Sequence, residues 1–187
     1  MPGRAAALVA LLVIALPLPA AAQRRSPARQ PAKGSIAVGG DFGAFIPSEG
    51  ALGSGVALEG HADFYVTPRI SVRFDVNWTD PPFDRDGGDS LRQVRFGGDA
   101  IYNWEGGKWH PFAGAGIAAH LVQQIDSGRD FGESETKVGG AVLGGVEYFF
   151  NRTAAVKAEG RYQFVDRTKL GIDPSGFMLL VGLKQYF

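Results

Sequence analysis

From Ser35 to the last residue, apolar side chains return at every second position, and no segment in this stretch shows the three-to-four spacing of a helix. The final stretch shows the rule most plainly. Phe177, Leu179, Val181, Leu183 and Phe187 fall on one parity, with Gly182, Lys184 and Tyr186 on the other. A period of two places the two sets on opposite faces of a β-strand. A chain built this way throughout must cover one face of every strand. It can do so with a second sheet, with the inside of a closed barrel, or with lipid around one.

Seven earlier segments repeat the alternation. Residues 35–46 carry Ile36, Val38, Phe42, Ala44 and Ile46 against Asp41, and residues 55–66 carry Val56, Leu58, Phe64 and Val66 against Glu59, His61, Asp63 and Tyr65. Residues 70–79 set Ile70, Val72, Phe74, Val76 and Trp78 against Arg73, Asp75 and Asn77, and residues 92–104 set Val94, Phe96, Tyr102 and Trp104 against Arg95, Asp99 and Asn103. Residues 109–121 switch parity, with Trp109, Ile117 and Leu121 opposite His110, Phe112 and His120. Residues 137–150 place Val138, Val142, Val146, Tyr148 and Phe150 opposite Leu143 and Glu147, and residues 153–166 place Val156, Tyr162 and Phe164 opposite Lys157, Glu159, Arg161 and Gln163. With the closing segment this makes eight strands of roughly 9–14 residues, long for a soluble sheet and suited to a tilted strand crossing a bilayer.

The connections alternate too. Short turns at 67–69, 105–108 and 151–152 interleave with longer loops at 47–54, 80–91, 122–136 and 167–174. In an outer-membrane barrel the short turns are periplasmic and the long loops face outward. Alternation alone does not say which face meets lipid, because a soluble eight-stranded barrel has an apolar lumen and a membrane barrel inverts it. Two features favour the inversion. The polar parity carries both signs of charge on many strands, in Glu59, Asp63, Arg73, Asp75, Arg95, Asp99, Glu147, Lys157, Glu159 and Arg161, which can neutralise one another in a packed lumen. Aromatics also gather at segment ends: Trp104 and Trp109 flank one turn, Tyr148, Phe149 and Phe150 precede another, and Tyr186 and Phe187 end the chain, with Trp78 at the opposite end of its strand. Such positions suit interfacial girdles.

The closing strand, with Leu179, Val181, Leu183, Tyr186 and a terminal Phe187, looks like the last strand of a Gram-negative outer-membrane barrel, with Gln185 as a departure from the pattern. Over residues 35–187 the chain resembles the OmpA/OmpX-like family of small outer-membrane β-barrel domains, although no residue motif singles out one member. The resemblance implies an eight-stranded antiparallel up-and-down transmembrane β-barrel. It also implies that the closing strand is an assembly signal read by the barrel-assembly machinery, and that the partners are outer-membrane lipid and lipopolysaccharide.

Residues 1–22 read as a signal peptide, with Arg4, an apolar run over 7–17 and small residues at Ala20, Ala21 and Ala22. Residues 23–33, with Arg24, Arg25, Arg29 and Lys33, read as a disordered basic periplasmic tail, and 34–187 as the barrel domain. The 19 basic and 19 acidic residues argue against a nucleic-acid partner, and the absence of Cys excludes disulfides and thiolate metal sites.

Little in the pattern suggests chemistry. His61 and Asp63 share a face, and Ser71 follows on the next segment, but a Ser-His-Asp arrangement needs hydrogen-bond reach between the groups, which spacing does not establish. His110 and His120 fall at opposite ends of their strand. Two loops are acidic, with Asp80, Asp84, Asp86 and Asp89 in one and Asp126, Asp130, Glu133 and Glu135 in the other. Carboxylates suit divalent cations, but neither loop forms a complete calcium motif. The expectation is a monomer without catalytic residues, cofactor or metal site, and with a structural or surface-interaction role. A narrow passive channel is the alternative, and a lipid A-modifying enzyme is the third reading.

Overall fold

The structure is a computed structural model that describes residues 31–83, 89–104, 107–126, 129–169 and 171–187. The expected signal peptide and most of the basic tail lie outside the described residues. Eight strands follow in order: β1 (Ile36–Pro47), β2 (Gly55–Tyr65), β3 (Ile70–Thr79), β4 (Ser90–Asn103), β5 (Trp109–Asp126), β6 (Arg129–Phe149), β7 (Ala154–Val165) and β8 (Gly176–Tyr186). Each pairs antiparallel with its neighbours in sequence, and β1 pairs with β8 to close the barrel. That seam runs from Ala37 opposite Tyr186 to Pro47 opposite Gly176, and the Phe187 N–H donates to the Ile36 carbonyl at 2.8 Å. Closure gives every strand a partner on both sides through the body of the barrel.

Exposure decides which face meets lipid. Arg73 and Arg161 are 0% exposed and Arg95 1%, whereas Phe42 is 66%, Phe74 64% and Ile117 73% exposed. Water around such a surface would face a continuous apolar band while charges filled the core, the reverse of a soluble protein. The chain is a membrane-spanning barrel with an apolar outside and a polar inside.

Two kinds of local chemistry hold the outline. At the turn end, Thr67 Oγ1 accepts from the N–H groups of Arg69 and Ile70 at 3.2 and 3.0 Å, and Asn151 Oδ1 accepts from those of Thr153 and Ala154 at 2.8 and 2.7 Å. Such side chains bend the backbone within a few residues. Inside the barrel, glycines lie beside the bulky groups. A Cβ on Gly116 would meet Asp99 Oδ1 at 2.1 Å, one on Gly39 would meet His61 at 2.5 Å, and one on Gly43 would lie 1.8 Å from the Leu179 carbonyl oxygen of β8.

Most strands begin and end within a residue or two of their expected limits, and β3 matches its expected span. The exception is the loop expected over 122–136. β5 continues to Asp126 and β6 begins at Arg129, so most of that stretch extends the sheet as a hairpin, with a register shift between Val122 and Gln124. Beyond the bilayer both faces of a strand meet water, so backbone pairing persists there without the alternation that marks a strand in sequence.

Candidate functional site: the charged lumen

At the turn end the lumen is closed by aromatic rings. Tyr65, Phe149 and Tyr186 pack with Ala37 and Ala155, the Tyr65 and Tyr186 ring centroids lie 5.8 Å apart, and Phe149 lies 5.0 Å from Tyr186. His110 stacks on Phe149 at 4.8 Å and donates to the Gly107 carbonyl. The two tyrosine hydroxyls lie 3.1 Å apart, and that of Tyr186 donates to Glu147. Tyr186 is only 1% exposed, so it does not belong to the outer girdle in which its place at the end of the chain suggested it. It shares its parity with Gly182 and Lys184, and a strand's pleat overrides the preference of an aromatic for the interface.

Above the rings lies an ion-pair network. Lys184 Nζ is 2.6 Å from Glu147 and 2.5 Å from Asp63, and Arg73 donates to Asp63 at 2.7 Å and to Glu159 at 2.6 Å. Lys157 Nζ lies 2.9 Å from Asp41, 3.0 Å from Glu159 and 3.5 Å from Glu59. Arg161 reaches Glu159 at 2.9 Å, Asp99 at 3.2 Å, and Glu59 and Asp75 at 3.4 Å. Arg95 closes the set by pairing with Asp75, and with Asp99 at 2.9 Å. A charge left unpaired in such a place costs several kcal/mol, and mutual pairing offsets part of that cost.

Toward the loop end, ions give way to neutral polar groups and then to an apolar lid. Gln163 Nε2 donates to Gln93 Oε1 at 2.9 Å and to the Pro174 carbonyl at 3.3 Å, and Gln93 Nε2 lies 2.7 Å from His120 Nδ1. Leu52, Leu91 and Val122 pack over this layer with Phe83 and Ile172 against them, so parts of three loops and two strands meet over the mouth.

All ten charged residues singled out in sequence are buried in the lumen, where they belong to one network. Asp41 and Lys184 are equally buried and central and were not singled out. Their signal was present, since each is a charge on the inward parity of its strand. Asp41, Glu59 and His61 place ligand atoms within 4.8 Å of one another, a spacing that suits a metal ion. The Lys157 ammonium lies against these same two carboxylates and already supplies a positive charge there.

The catalytic grouping considered in sequence does not assemble. His61 Nδ1 turns to Asp41 at 2.9 Å, Asp63 is held by Arg73 and Lys184, and Ser71 Oγ accepts from Asn103 Nδ2 at 3.3 Å.

On the outer face, Trp104, Trp109 and Phe150 are about half exposed near the turns, with Tyr148 stacked on Trp109 at 4.7 Å, and Trp78 sits outward near the loop end. Leu179, Val181 and Leu183 point outward along β8, and Phe187 just after it is half exposed.

The family described as outer membrane protein beta-barrel domain matches residues 8–184. Among solved structures, Neisserial surface protein A is similar at 20% identity, with a TM-score of 0.69, over 83% of this chain and 100% of that one. OprG from Pseudomonas aeruginosa is similar at 14% identity and a TM-score of 0.66, over 83% and 97%. Ail, the attachment invasion locus protein of Yersinia pestis, is similar at 11% identity and 0.59, over 83% and 99%. At these identities the likeness is one of fold. No curated protein sequence matches the chain.

Proposed function

We propose a function from a fixed premise: this chain belongs to the outer membrane protein beta-barrel domain family. It resides in the outer membrane of a Gram-negative-type bacterium, reached after cleavage of residues 1–22, with the turns in the periplasm and the loops outside. It is a monomeric, non-enzymatic barrel whose role is structural or surface-interactive. Its contacts are lipid and lipopolysaccharide around the wall, whatever meets the acidic loops, and the barrel-assembly machinery during biogenesis. The observation that carries this reading is the filled lumen. Aromatic rings, an ion-pair network, a glutamine–histidine layer and an apolar lid follow one another from mouth to mouth. An eight-stranded barrel is only wide enough for its own side chains, and here those side chains interlock across it.

Two measurements test this. In a planar bilayer the inserted barrel is expected to be electrically silent, and a steady, reproducible current would overturn the plugged lumen in favour of a narrow channel. Orientation is read by thiol labelling, because the natural chain has no Cys. In intact cells an impermeant maleimide is expected to label Ala51→Cys in the first loop and not Thr153→Cys in the last turn. The reverse pattern would invert the topology.

A further inference from the structure

The zero net charge of this chain hides a polarity along the barrel axis. At the loop end, the segments 48–54, 80–92, 122–137 and 166–175, loops together with the strand ends beside them, hold eleven acidic and six basic side chains. At the other end, each of the three turns carries one basic residue, Arg69, Lys108 and Arg152, and all three are exposed. A fourth exposed cation, Lys33, precedes β1, and Glu105 is the one acidic residue in the three turns.

We propose that these four cations form a ring that binds the phosphate headgroups of anionic phospholipids in the inner leaflet of the same membrane. Three observations point to lipid. The turns join β2 to β3, β4 to β5 and β6 to β7, and Lys33 enters β1, so the cations are spaced two strands apart around the whole circumference. A soluble polymer or protein docking on one side would meet only part of such a ring, whereas lipids surround it. The cations also sit at the level of the aromatic belt: Lys108 adjoins Trp109, Arg152 follows Phe150 by two residues, and Arg69 adjoins the outward-facing Ile70. Such aromatics mark the headgroup level. Finally, the turns are short and are tied down by Thr67 and Asn151, which keeps Arg69 and Arg152 close to the interface. A cation beside an anionic lipid surface strengthens attraction about fivefold, and the effect is screened by salt.

The leaflet named here rests on the proposed orientation, but the ring itself is tested without it. The folded full chain in non-ionic detergent is mixed with equal amounts of phosphatidylglycerol and phosphatidylethanolamine, and retained lipids are counted by native mass spectrometry. Phosphatidylglycerol is expected to be retained preferentially. The preference is expected to fall about fivefold for each cation removed across Arg69→Gln, Lys108→Gln and Arg152→Gln, and to survive Arg167→Gln with Lys169→Gln at the loop end. The three single variants serve if the triple variant does not fold. Equal retention of the two lipids by the natural chain, or a preference unchanged in the turn variants, would overturn the ring. So would retention of purified cell-wall sacculi, in place of phosphatidylglycerol, with the same dependence on the three residues. Reversed maleimide labelling with an intact lipid preference would move the ring to the other leaflet and leave its chemistry standing.

Discussion

Arg73 on β3 and Glu159 on β7 form an ion pair of 2.6 Å although 86 residues separate them in the chain. In an eight-stranded ring these strands stand opposite each other, so the pair is a strut across the lumen. Arg73 also holds Asp63 on β2, so it serves two carboxylates, beside Lys184 on Asp63 and Lys157 and Arg161 on Glu159. Replacing it by Met is expected to cost about 3–5 kcal/mol, because both carboxylates lose a partner without regaining water. Urea titration of the barrel folded into lipid vesicles measures this. Glu159→Leu also strips Lys157 and Arg161 of a partner, so the double variant with Arg73→Met is expected to lose less than the sum of the two single losses, and additive losses would mean that the two residues do not act as a pair.

A charge on the outer face probes the other half of the inversion. Val142 is about half exposed and lies opposite Ala115 at mid-strand. Val142→Arg is expected to destabilise the barrel by about 2–4 kcal/mol in the same titration. A neutral effect would mean that this face does not meet hydrocarbon.

The seam between β1 and β8 is sensitive to a single methylene. A side chain on Gly43 would collide with the β8 backbone at Leu179, whereas a Cβ on the outward Gly60 meets nothing within 4 Å. Gly43→Val is expected to cost about 3 kcal/mol or more by forcing the two strands apart, and Gly60→Ala to be near neutral. Slow or incomplete closure, seen as loss of the heat-modifiable band on a gel, is the simplest readout.

Phe187 separates assembly from stability. Its backbone is tied to Ile36 and its ring is half exposed to the membrane. Phe187→Ala is expected to fold in vesicles with little loss and to accumulate unassembled in cells. Normal insertion in cells would remove the ring from the assembly signal.

Much of this was written in the alternation itself. The eight strands and the division of each into two faces follow from a period of two, and the mixed charges of one face with the aromatics at the strand ends pointed that face inward. The extended β5–β6 hairpin was not visible, since above the bilayer nothing enforces the alternation in residues such as Gln123, Gln124 and Ser134. Nor could parity reveal partners. Long side chains such as Arg161 reach strands on the far wall, and whether it meets Asp75, Asp99 or Glu59 depends on strand stagger that no local pattern encodes. Phe149 keeps the inward parity of Leu143 and Glu147, and the pleat takes its ring into the lumen, away from the outer girdle in which its place beside Tyr148 and Phe150 had put it.

Closure between β1 and β8 also sets an order of events. The residues that meet at this seam, such as Ala37 and Tyr186, lie nearly the whole barrel apart in sequence, so the ring stays open until its last strand has been supplied. Every earlier hairpin would carry two unsealed edges and a half-built lumen of stranded charges, a state that neither water nor hydrocarbon stabilises. Closure is therefore a late event: pairs between adjacent strands, such as Arg73 with Asp63, need no finished ring, whereas those that join distant strands, such as Lys157 with Asp41, wait for the far ends of the chain to find each other.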